Sequence, residues 1–157
     1  MKTLQAIALS FISLILTCSA GVTDKLVGTW SGTVKVSLNG MTFDEQVNFV
    51  FKKSKKTGLK ANYTILLPGN PETVGLRKYQ KTGKVVGRIQ QGDYSFTESG
   101  TWTSNRRSIT SKTGISGTSL VEVTKFRLLK NGKLRMISSA TDGFSGGTRI
   151  EGILRRR

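Results

Sequence analysis

The chain has no histidine, one cysteine, two prolines and nine acidic residues against 25 lysines and arginines. Each shortage removes a class of function. Without histidine, and with Cys18 as the sole thiol, a His-assisted triad, a cysteine nucleophile in the mature domain and a zinc site of the usual kind are excluded. A lone cysteine closes no internal disulfide, so burial and sheet hydrogen bonds must hold the fold. Outside the first 20 residues no stretch carries an apolar stripe at helical spacing, which leaves β-structure. No metal, no cofactor and no catalytic constellation are expected, and the chain reads as a non-enzyme.

What is present fits that reading. The chain has 157 residues, 18 of them glycine, and an ordinary apolar fraction of 36%, enough for one all-β domain with a real core rather than disorder. Residues 1–20 read as a signal peptide: Lys2 is basic, 4–16 are apolar, and Cys18-Ser19-Ala20 is a small-residue cleavage site. The apolar run is too short for a comfortable transmembrane span. The mature domain is then 21–157, secreted or periplasmic. Ile15-Leu16-Thr17-Cys18 also resembles the lipobox of bacterial lipoproteins, which would make Cys18 a lipid anchor instead.

The hairpin over residues 27–52 organises the rest. Two alternating runs flank Asn39-Gly40, the strongest short-range signal for a two-residue turn with positive φ at both positions. That turn sets a register: Leu38 opposite Met41, Val36 opposite Phe43, Val34 opposite Glu45, Gly32 opposite Val47 and Trp30 opposite Phe49. This face is apolar apart from Glu45, and the other face is polar. Further strands are expected over 59–67, 73–80, 85–91, 94–103, 108–112, 120–129, 134–141 and 147–155, with 113–118 a loop and 23–26 a short lead-in. The strand over 73–80 shows no clean inward face. In 120–129 the apolar phase slips between Val121/Val123 and Phe126/Leu128, which suggests a β-bulge. Eight to ten strands with short connections predict an antiparallel up-and-down β-barrel, since closure removes the edges.

Gly28-Thr29-Trp30 at the head of the first strand resembles the Gly-x-Trp signature of the calycin barrels: lipocalins, fatty-acid-binding proteins and avidins. The resemblance implies a cup for a small apolar or amphipathic ligand, open at the end that holds the first hairpin turn. It also implies a structural Trp30 at the base and a late basic residue stacked on it, with Arg149 or Arg155 the candidates. Glu45 and Glu98 both fall on the inward phase; Tyr63, Tyr94 and Trp102 share it as walls. Two readings of the carboxylates stay open: polar anchors for a ligand, or residues that a bulge or a barrel end turns toward water.

A meander places alternate turns at opposite ends. One end collects Lys52, Lys53, Lys55, Lys56, Lys81, Lys84, Arg106, Arg107, Lys130, Lys133, Arg155, Arg156 and Arg157, thirteen basic residues with no acidic one. The turns at the other end carry no Lys or Arg and hold Glu72, Asp93 and Asp142. The basic end suits an anionic surface: lipid headgroups, acidic polysaccharide or an acidic protein. Export and the lack of interleaved aromatics argue against nucleic acid. The sorting depends on a strand over 73–80. A third reading is an inhibitor of another exported enzyme.

Overall fold

In the computed structural model, residues 21–55, 58–66, 71–141 and 147–157 are described. The expected signal peptide, with Cys18, lies outside them, as do Lys56 and Asp142. A short helix, α1 (Val22–Leu26), precedes ten strands: β1 (Gly28–Leu38), β2 (Met41–Ser54), β3 (Gly58–Leu66), β4 (Thr73–Tyr79), β5 (Lys84–Gln91), β6 (Tyr94–Ser104), β7 (Ser108–Ile115), β8 (Val121–Leu128), β9 (Leu134–Thr141) and β10 (Thr148–Arg156). Every strand pairs antiparallel with its neighbour in sequence, and β10 returns to β1, so the sheet closes into an up-and-down barrel.

The opening hairpin takes the expected register, from Leu38↔Met41 to Trp30↔Phe49. Asn39 and Gly40 have φ of 49° and 79°, the left-handed pair that a two-residue turn between twisted strands requires. The turn at Asn131-Gly132 is built differently. It has positive φ at Gly132, and Asn131 Oδ1 accepts from the Lys133 amide at 3.2 Å. Because β4 is a full strand, the strands alternate in direction from β1 to β10 as the turn parity requires.

Three local expectations need correction. The lead-in over 23–26 belongs to α1, which buries Val22 and Leu26 against the barrel. β7 runs on to Ile115, so 113–115 are strand, not loop. β8 has no bulge: its pairing with β7 and β9 is continuous. Glu122, Thr124 and Phe126 point inward, and Val123 is exposed. The apolar Val121 and Val123 suggested a slipped phase, but hydrogen bonds to Glu122 and Thr124 inside the barrel outweigh their outward placement.

The core is graded along the barrel axis. At the α1 end Trp30, Phe51, Leu59, Tyr79, Val85, Ile109, Leu134 and Leu154 are all at most 1% exposed. Phe49, Phe51, Tyr63 and Phe126 pack ring to ring there, with centroids 4.9–5.9 Å apart. At the opposite end the inward side chains of Phe43, Ile65, Ile89, Phe96 and Ile150 are only half-buried.

Candidate functional site

Trp30 closes the base, held by Leu26 and Arg156. Its Nε1 donates to the Leu26 carbonyl at 2.7 Å. Arg156 lies over its ring, 4.9 Å from guanidinium carbon to centroid, and donates from Nη2 to the Lys25 carbonyl at 2.5 Å. Together they satisfy carbonyls that the end of α1 leaves without partners. The basic residue on Trp30 is therefore Arg156, not Arg149 or Arg155. β10 starts and ends one residue later than the sequence suggests, and register sets Arg156 opposite Trp30.

A polar layer crosses the middle of the barrel. Arg77 on β4 donates from Nε and Nη2 to the two oxygens of Glu98 on β6, at 2.7 and 2.8 Å. Its Nη1 donates to Thr124 Oγ1 at 3.0 Å, and Nη2 also reaches Glu122 on β8. Thr124 and Ser138 donate onward to Glu122. The guanidinium lies 5.5 Å from the Tyr63 ring centroid. Two glycines make the room. A Cβ at Gly87 would stand 2.2 Å from a Glu98 oxygen, and one at Gly75 would stand 1.9 Å from the Tyr63 ring.

Both carboxylates expected on the inward phase are buried, Glu45 at 1% and Glu98 at 2% exposure. Glu98 is paired. Both oxygens of Glu45 are without a hydrogen-bond partner among the described residues. The aromatic candidates do not converge. Tyr63 lies in the polar layer, Tyr94 is 72% exposed at the rim, and Trp102 sits near the α1 end, donating to the Gln80 carbonyl at 2.7 Å. Arg77, Glu122, Thr124 and Ser138 were missed in the sequence. The signal for Arg77 was indirect: two inward carboxylates call for an inward cation.

Charge states follow from this geometry. Burial alone would raise the Glu122 carboxyl, but Arg77 and the Ser138 and Thr124 hydroxyls outweigh it and hold it below the usual carboxylate range. Burial works against the Arg77 charge too, and Glu122, Tyr79, Tyr63 and Glu98 more than offset it. Burial pushes Glu45 upward. The two glutamates therefore oppose each other. Glu122 stabilises the fold above the ordinary glutamate value, and that stability is lost as pH falls through its depressed folded value. Glu45 stabilises when protonated, and that stability is lost as pH rises through its raised folded value. Thermal melts between about pH 3 and pH 8 test this. Glu122→Gln should weaken the acid-side loss. Glu45→Gln should raise stability at neutral pH and leave the acid side intact.

The basic end is assembled as the turn parity requires. Around α1, one cleft of about 520 Å³ is lined by Lys25, Trp30, Arg106, Arg107, Lys130 and Arg156. A second, of about 750 Å³, is lined by Lys53, Lys55, Lys81 and Trp102 among others. Lys52, Lys84, Lys133, Arg155 and Arg157 lie on the same ends of their strands and turns. The helix adds one acid to this end, Asp24, which pairs with Lys53 at 2.5 Å.

No family model and no curated protein matches the chain. Solved structures do. One is the crystal structure of Rv2717c from M. tuberculosis, with TM-score 0.60 and 14% identity over 85% of this chain and 93% of that one. Another is EF1p2_mFAP2b bound to DFHBI, with TM-score 0.41 and 13% identity over 87% and 97% of the two chains. At these identities the first likeness speaks to fold alone. The closed ten-strand antiparallel barrel resembles the calycin, lipocalin-like fold.

Proposed function

We propose that this chain is an exported, non-enzymatic binding protein, a lipocalin-like cup for a small amphipathic ligand. The ligand enters at the end holding the Asn39-Gly40 turn. The supporting observation is the gradient of burial along the inward face. The α1 end is sealed by side chains at most 1% exposed. At the other end, Phe43, Ile65, Ile89, Phe96 and Ile150 stand half-buried above a polar floor. Apolar walls over a few fixed polar groups are what small-molecule sites are made of. Nile red, a neutral dye, should bind saturably at one per barrel. Ile150→Trp, which fills the mouth, should weaken it about 5- to 100-fold, the cost of overpacking. Binding that never saturates, or that ignores Ile150→Trp, would sink the reading.

A second reading, compatible with the first, assigns the basic end to an anionic surface. It is favoured by the sorting of charge by turn parity, which solubility alone does not require. Sedimentation with anionic vesicles should fall steeply with salt. It should also fall when Arg106, Arg107 and Lys130 are replaced together by serine. Equal retention by neutral vesicles would remove this reading and leave the first standing.

A further inference from the structure

We propose that the ligand carries a cationic head, a protonated amine on an apolar body, and that Glu45 receives it. This inference rests on the ligand-binding reading above and names the chemistry of its ligand. The described interior holds one guanidinium, Arg77, and three inward carboxyls, Glu45, Glu98 and Glu122. Arg77 is fully engaged by Glu98, Glu122 and Thr124, and the Thr124 and Ser138 hydroxyls serve Glu122. No group of that layer is left for Glu45. It is 1% exposed, and neither oxygen has a partner among the described residues.

A buried carboxyl in that state carries the cost of desolvation with no hydrogen bond in return. Its position relates that cost to the mouth. Along β2 it is the inward residue directly below half-buried Phe43 and above buried Val47. It stands opposite Val34, which in turn stands opposite Gly152, so no polar side chain faces it from the paired positions on β1 or β10. A ligand whose apolar body lies among Phe43, Ile65 and Ile150 has its head at this depth.

The three head chemistries differ in what they do there. A carboxylate head adds a like charge to an interior already in carboxyl excess. A hydroxyl head satisfies one oxygen and leaves the charge. An ammonium brings three N–H donors and the opposite sign. The approach agrees. The described turns at this end, 39–40, 71–72, 92–93 and 116–119, hold Glu72 and Asp93 and no Lys or Arg, although the chain as a whole carries +16.

The test displaces Nile red from the purified protein with dodecylamine, dodecanol and dodecanoate, each below its micelle concentration. Displacement restricts the readout to the barrel and excludes binding to the basic exterior. Dodecylamine should compete about 10- to 100-fold better than dodecanol, the range for a charge-assisted hydrogen bond. Glu45→Gln should bring the amine down to the level of dodecanol and leave dodecanol unchanged. In the wild-type protein, labelled at the glutamate side-chain carboxyl carbons, amine binding should shift the Glu45 resonance, a readout that needs no variant. Dodecanoate or dodecanol competing as well as the amine would overturn the head assignment alone, as would an unmoved Glu45 resonance. Failure of all three to displace the dye would overturn the ligand-binding reading, and this inference with it.

Discussion

Arg77→Ala is expected to destabilise the barrel by roughly 3–5 kcal/mol, the usual cost of breaking a buried ion pair from one side. Two properties put it at the upper part of that range. Arg77 and Glu98 are both nearly inaccessible, with side chains 5% and 0% exposed. One guanidinium also serves two carboxylates, so a single deletion strands both Glu98 and Glu122. Against a total stability of about 5–15 kcal/mol for an ordinary domain, that is a large share. Arg77→Lys should recover only part of the loss, because a point charge cannot make the forked contact to both Glu98 oxygens. Replacing Arg77, Glu98 and Glu122 together by Met, Leu and Leu should recover most of it, since an apolar layer leaves no orphaned charge. Urea unfolding of the three variants beside the wild-type protein checks the order. A triple variant no more stable than Arg77→Ala would show that the layer is held by something other than its ion pairs.

Trp30→Ala is expected to cost about as much, roughly 3–5 kcal/mol, by a different route. The indole is 1% exposed and fills the base of the barrel. Its loss leaves a cavity, removes the donor to the Leu26 carbonyl, and strips Arg156 of the ring it covers. The second and third effects act on α1, so the helix should loosen before the barrel does. Hydrogen exchange should speed up at the backbone amides of 22–26 well below the global melting temperature. Trp30→Phe should fill most of the cavity and restore the melt, yet leave α1 exchange fast, because it has no N–H to donate. Protection of α1 unchanged in both variants would mean that the helix is held by Val22 and Leu26 packing alone.

The parts of this molecule written in local pattern were readable from the sequence, and the parts that depend on distant partners were not. The hairpin over β1 and β2 has its register in two alternating runs and one Asn-Gly pair, and every predicted pairing occurs. The inward positions of Glu45 and Glu98 follow from the same alternation. Arg77 could not be read this way. Its strand alternates glycine, arginine and tyrosine on the inward face, a pattern that becomes sensible only beside Glu98, 21 residues on, and Thr124, 47 residues on. β8 misled for the same reason: its valines look like core, and its real inward residues are polar because they answer Arg77. The stacking of Arg156 on Trp30 depended on one further residue of β10.

The seam between β1 and β10 has a kinetic consequence. Nine of the ten strands can zip in the order in which they are made, each onto its predecessor across a short turn. The closing ladder cannot. It joins Trp30 to Arg156 and Val34 to Gly152, positions on the first and the last strand, and loop closure over such a span is slow. Until that last strand arrives, β1 and β9 are open edges, Trp30 lacks its cover, and the carbonyl of Lys25 lacks its donor. The nascent chain is thus an aggregation-prone open sheet for as long as β10 is missing. A barrel of this design gains its finished interior in one late, cooperative step.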